Sequence, residues 1–146
     1  QGVALLLQRT LEEHLYPIML FSRLCDPEAF PIFQQTVLTP EKGHHEQSIA
    51  AMLERMRRMM SGRGLPLSDP ERIYQRGLAD VTAVAAQIPD EGCIFGSAPG
   101  RVDALVFAFL ANILALPLTN PMKTYLSQHS AVQRYYESIH TRYFAT

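Results

Sequence analysis

Leu7, Leu11, Leu15, Ile18 and Phe21 recur at helical spacing along the first twenty-five residues, with Arg9, Glu12, Glu13 and Arg23 between them. The pattern predicts a helix from about Val3 to Cys25, bent near its middle by Pro17, which removes a backbone donor. Asp26-Pro27 ends it, with Asp26 placed as the cap of a short second helix through Glu28 to Gln35. Thr39-Pro40-Glu41 opens the next helix, with a hydroxyl at the N-cap, proline at the first position and an acid just inside. Its apolar stripe is Ile49, Met52, Leu53, Met56, Met59 and Met60, an ordinary core or interface pattern. Arg55, Arg57 and Arg58 lie off the stripe or at its border and read as a solvated face, before Ser61-Gly62-Arg63-Gly64 breaks the chain. Ser68-Asp69-Pro70-Glu71 reads as a capping box with Ser68 at the N-cap, and the helix it opens packs through Tyr74, Leu78, Val81, Ala85 and Ile88.

The next pattern change is the sharpest. A polar turn, Ile94 to Asp103, carries Gly96, Pro99 and Gly100, and it leads into Ala104 to Leu116, thirteen residues whose only polar member is Asn112. Asp103 stands three positions past Gly100, where a carboxylate reaches back to the cap residue's N–H and faces the positive end of the helix dipole. This predicts a central helix over about 101–116 that is buried on nearly every side, with Gly96, Gly100 and Asp103 as its structural cap. Replacing Asp103 with alanine is expected to cost about 1–2 kcal/mol, and a buried Asn112 needs a hydrogen-bond partner. Pro117 and Asn120-Pro121 then force a break, a short helix runs to about Leu126, and Ser130 caps a last helix with Val132, Tyr135, Tyr136, Ile139 and Tyr143. No period-2 alternation of any length occurs, so the expectation is an all-α bundle of six or seven helices.

Composition narrows the function classes. A chain of 146 residues, 47% hydrophobic and 18% charged, suits one domain with a core that needs no disulfide or metal. A net charge of −1 gives no electrostatic case for nucleic acid. The longest apolar run is well short of the ~20 residues of a membrane span, and no secretory signal is visible. Cys25 and Cys93 form no spaced motif and read as buried thiols of an intracellular protein. Glu41 and His45 share a helix face but gather two ligands at most, so no metal is expected. The chain opens mid-pattern, without a cap or an initiator methionine, as a fragment of a longer protein would.

Phe95-Gly96-Ser97-Ala98-Pro99-Gly100-Arg101-Val102-Asp103 resembles the turn before the buried helix of the glutathione S-transferase C-terminal domain, roughly Phe-Gly-x-x-Pro-Ser/Thr-x-Ala-Asp. Gly100 replaces the family's hydroxyl cap, at a cost of a few tenths of a kcal/mol. Leu11-Glu12-Glu13-His14-Leu15-Tyr16 and Pro121 to Leu126 with Tyr135, Tyr143 and Phe144 look like a subgroup that includes the failed axon connections proteins and metaxins. The resemblance implies one helical domain over 1–146 and, in the intact protein, an N-terminal thioredoxin-like domain that binds glutathione and supplies the catalytic group.

The activity it implies is attack of glutathione thiolate on a small hydrophobic electrophile, in a cytoplasmic protein that is a homodimer when intact. This helical half would supply no catalytic residue and would be inactive alone. The resemblance places His14, Tyr16 and Met19 at the electrophile wall, with C-terminal tyrosines as further contributors. Two alternatives belong to other classes. One is a non-enzymatic, metaxin-like interaction module on the same fold; the other is a helical ligand-binding domain of a regulator.

Overall fold

The computed structural model describes residues 1–39 and 45–144. Helices α1 (Gly2–Arg9) and α2 (Tyr16–Leu24) are joined without interruption by a π-helical stretch, Thr10–Leu15, and form one rod. Then come α3 (Phe30–Thr36), α4 (Glu46–Gly62), α5 (Pro70–Ala85), α6 (Arg101–Leu114), α7 (Pro121–Gln128) and α8 (Ser130–Tyr143). Counting the rod once, the described residues form seven helices and no strand, with one isolated bridge between Cys93 and Gly96. The all-α bundle with a central helix expected from the sequence is the observed architecture.

The distortion at Pro17 lies one turn upstream of it. A proline inside a helix has no N–H to donate, and its ring collides with the carbonyl four residues back. The preceding turn is widened, so that the Tyr16 N–H bonds Leu11 O, five residues back, and the rod continues through Pro17. All five positions of the expected apolar stripe are buried: Leu7, Leu11, Leu15, Ile18 and Phe21. They join Met60, Ile73, Val81, Val106, Met122, Leu126 and Val132 in one continuous core, each such side chain contributing about 1.5–3 kcal/mol by leaving water. Leu24, Leu38, Ile49 and Leu53 form a smaller cluster, with Phe30, Phe33, Met52 and Met56 packed against it.

Helix α5 presents Ile73, Gly77, Val81, Val84 and Ala85 to the core, while Tyr74 and Leu78 stand half-buried at the border of that line. Gly77 marks a close approach of α5 to α7 and α2. A Cβ there would lie 2.5 Å from Met122 Sδ and 2.9 Å from Ile18 Cγ2, so a larger residue would force the Met122 and Ile18 side chains to shift. At the end of α4 the chain closes on itself: Leu65 N–H bonds Met60 O, Gly64 N–H bonds Ser61 O, and Gly64 has φ +76°. That is a Schellman closure, sealed by the contact of the buried Met60 and Leu65.

Several local expectations are corrected. The cap of α5 is Asp69, whose Oδ1 accepts from Arg72 N at 3.1 Å, and not Ser68, because Pro70 takes the first helical position and fixes its predecessor as the cap. Ser130 is the first residue of α8 rather than its cap; the cap position is His129, without a side-chain bond. Asp26 caps a turn, bonding the N–H groups of Glu28 and Ala29, and α3 begins only at Phe30. Of the expected start at Thr39-Pro40-Glu41, Pro40 and Glu41 lie outside the described residues, and with Glu41 so does half of the Glu41/His45 pair. His45 is extended, at φ −99° and ψ 147°, immediately before α4.

Candidate ligand face along the first rod and α6

The start of α6 is tied down by one buried carboxylate. Asp103 is 1% exposed. Its Oδ2 accepts from Gly100 N at 2.8 Å, and its Oδ1 accepts from Ile94 N and from the Tyr135 hydroxyl, both at 2.9 Å. Gly100 is extended and has no side chain to return a bond, so the capping box is one-sided. The bond to Ile94 draws in the preceding loop, where Cys93 and Gly96 exchange backbone bonds and Gly96, at φ +151°, adopts a conformation that L side chains avoid. Tyr135 reaches in from α8, and burial, then its bond to Asp103, pushes its phenol well above the ordinary value. Asp103 therefore joins a loop, α6 and α8, which exceeds the capping role that its spacing predicts.

Helix α6 buries Asp103, Val106, Phe107, Leu110 and Ile113 and leaves Ala104, Ala108 and Asn112 exposed at i, i+4 and i+8. Burial on nearly every side therefore fails along one stripe. Asn112 is exposed: its Nδ2 donates to Ala108 O at 2.9 Å within its own helix, and Arg23 Nη2 donates to Asn112 O at 2.8 Å. Beside the N-terminal half of α6 runs an open groove of about 470 Å³, lined by Ala4, Leu5, Gln8 and Glu12 of the rod and by Arg101 and Leu105. Gln8 donates to Glu12 across one turn, at 2.9 Å. Tyr16, one turn beyond Glu12, is 44% exposed.

The three residues that the resemblance assigns to the electrophile wall do not converge on one cavity. Met19 is buried in the core and borders a crevice of about 10 Å³ with Ser22, Arg23 and Ile113, at the lower limit for a single water. His14 points to α5, its Nδ1 2.5 Å from Asp80 Oδ2 and its Nε2 3.0 Å from Arg76 Nη2. A guanidinium only donates, so Nε2 is the acceptor and Nδ1–H donates to Asp80, which fixes the neutral imidazole tautomer. Burial pushes the Asp80 carboxyl up, opposed by its bond to His14 and by the Arg76 charge. Of the three only Tyr16 is exposed, with the Arg23 charge near it, and it lines neither the groove nor the crevice.

Arg76, Asp80 and Tyr135 carry this chemistry without any sequence signal. They meet His14 and Asp103 across separations of 62, 66 and 32 residues, and no local spacing encodes such a meeting. Cys25 and Cys93 are free, half-buried thiols, both pushed up mainly by burial. Among the described residues no three His, Cys, Asp or Glu side chains gather to hold a metal. No helix of the described residues is long and apolar enough to cross a membrane.

No curated protein and no solved structure matches the chain. A family match covers residues 77–139, a little under half the chain, running from Gly77 of α5 through the Asp103 turn to Ile139 of α8. The family is described as "Glutathione S-transferase, C-terminal domain", and the fold and this segment together support a domain of that kind.

Proposed function

We propose that the chain is the electrophile-side helical half of a glutathione transferase-like protein that conjugates or reduces hydrophobic electrophiles with glutathione. The observation that carries this reading is the family match over 77–139, within which helix α6 leaves Ala104, Ala108 and Asn112 uncovered. In the intact protein a thioredoxin-like domain covers that stripe, binds glutathione and stabilises its thiolate. The thiolate sulfur bonds the electrophilic carbon as the leaving group departs with the bonding pair. This half contributes an apolar wall in which Tyr16 is the principal residue and the reach of His14 and Met19 is set by how the two halves meet. Glutathione is thus a co-substrate held mainly by the other domain, and the working unit is a cytoplasmic homodimer.

The test is thiol conjugation by the intact protein across a panel of electrophiles, with glutathione binding followed by calorimetry. Turnover with at least one electrophile is expected, and Tyr16→Ala should raise the electrophile KM by about 3–10-fold, the loss of one aromatic contact. Silence across the panel together with no glutathione binding would overturn the reading.

A second reading is favoured by one observation: both ring nitrogens of His14 are already bonded within the protein, and Met19 is buried, which suits structural roles. It is a non-enzymatic interaction module of the metaxin-like kind, and the same panel separates the two.

A further inference from the structure

Charge is distributed unevenly along this chain. Residues 54–76 hold six of its thirteen Lys and Arg residues, all arginine, against three carboxylates, a net +3, while the whole chain carries −1. The remainder of the protein is therefore at −4. The geometry shows that the three carboxylates are committed. Glu54 pairs with Arg58 at 2.7 Å, Asp69 accepts from the Arg72 N–H as the cap of α5, and Glu71 accepts from Gln75 at 3.3 Å.

Of the six arginines only Arg58 forms an ion pair among the described residues. Among the described residues Arg55, Arg57, Arg63 and Arg72 make no ion pair, and the Arg57 charge lies near the Cys25 thiol. Arg76 donates to Gly64 O at 3.2 Å and to His14, with Asp80 as the acid near it.

The elements that carry them adjoin, since only residues 63–69 separate α4 from α5. The Schellman closure turns the chain at Gly64, directly after Arg63, and Arg76 fastens α5 to that turn through the Gly64 carbonyl. Arg72 precedes Arg76 by one helical turn. Arg55 and Arg58 lie within about 12 Å of Arg63 along α4, from the rise of 1.5 Å per residue. Part of this charge complements the negative end of the α4 dipole, but that role needs no more than one or two cations in the last turn.

We infer that the arginine-rich end formed by the last turns of α4, the turn at Gly64 and the first turns of α5 is a docking surface for an acidic polypeptide segment. Guanidinium forks take carboxylates in pairs, and exposed arginines whose local acids are occupied are complementary to a run of Asp and Glu. Two polyanions fit less well. The exposed large apolar side chains are Val3, Leu5, Leu6, Tyr16, Ile32, Phe95, Tyr143 and Phe144, and none falls within 54–76, so the patch offers no stacking platform for bases and no anchor for a bilayer.

The experiment uses the full chain and a fluorescein-labelled deca-glutamate peptide, followed by anisotropy between 50 and 300 mM salt. Binding at 50 mM salt that weakens more than tenfold by 300 mM is expected. The double charge reversal Arg63→Glu/Arg72→Glu should weaken it more than tenfold at 50 mM salt, while Arg134→Glu, on α8, should change it less than twofold. Unchanged circular dichroism and thermal midpoint show that the variants are folded; were the double variant unfolded, Arg55→Gln/Arg72→Gln should still lower affinity by more than threefold. No binding, equal losses in the patch and Arg134 variants, or tighter binding to single-stranded DNA of equal charge or to phosphatidylserine vesicles would each overturn the inference.

Discussion

The two faces of α6 belong to one largely apolar helix and yet differ in almost every physical respect. One face carries Val106, Phe107, Leu110 and Ile113 into the core and ends in Asp103, a carboxylate with three donors from three parts of the chain. The other carries Ala104, Ala108 and Asn112 to solvent, and its polar group is satisfied within its own helix and by Arg23. The first face is complete within this chain. The second is apolar enough to be covered and small enough in its side chains to let another surface approach closely. Composition alone makes the whole helix look buried, because alanine reads as apolar wherever it stands.

The largest expected effect lies on the completed face. Asp103→Ala leaves the N–H groups of Ile94 and Gly100 and the Tyr135 hydroxyl without their acceptor in a buried site. We expect a loss of about 3–5 kcal/mol, against the 1–2 kcal/mol expected from a cap alone. Urea denaturation of the chain checks this, and a loss below about 1.5 kcal/mol would show that the loop and α8 do not depend on the carboxylate.

This difference also marks how far the sequence could be read. The apolar stripe of the rod, the break at Gly64, the proline starts of α5 and α7 and the Asp103 turn all rest on local spacing, and the structure contains each. Local spacing also pointed to a box at Ser68 and a cap at Ser130, but a neighbouring residue holds each position. What spacing cannot carry is the meeting of distant side chains. Tyr135 on Asp103 and Arg76 and Asp80 on His14 are products of how α8 and α5 pack, and a sequence read one window at a time contains no record of them. His14 and Tyr16 illustrate the limit, since they lie two residues apart on the rod and face different surroundings, one bonded to α5 and one in solvent.

A smaller effect tests the same knot from the side of α8. Tyr135→Phe removes one bond to a charged acceptor and should cost about 1.5–2 kcal/mol at pH 7. It should also change the alkaline limb of stability. The Tyr135 phenol is held protonated in the folded protein, whereas an unfolded tyrosine loses its proton near pH 10. Above that pH the folded state binds more protons, so its stability is fully present below pH ~10 and falls as pH rises. Tyr74 behaves likewise, through burial and its bond to Asp26. Denaturation midpoints between pH 9 and 11.5 should therefore fall less steeply in Tyr135→Phe than in the wild type, with the Tyr74 contribution remaining. Parallel slopes would mean that the phenol titrates normally in the fold.

The smallest effect is expected on the open face, and its smallness is the informative result. Ala108 projects to solvent one turn before Asn112, so Ala108→Gln keeps a good helix former and buries nothing new. The stability of this chain should change by less than about 0.5 kcal/mol, the range of an ordinary surface substitution. A loss above 1 kcal/mol in urea would place Ala108 inside a contact that the monomer already makes and would erase the contrast between the two faces. In the intact protein of the proposed reading the outcome reverses. A glutamine on a stripe that another domain covers must clash or be desolvated, so the same substitution should lower the thermal midpoint there while leaving this chain unmoved. Equal insensitivity in both would leave the stripe as plain surface and remove the structural reason for assigning it a covering domain.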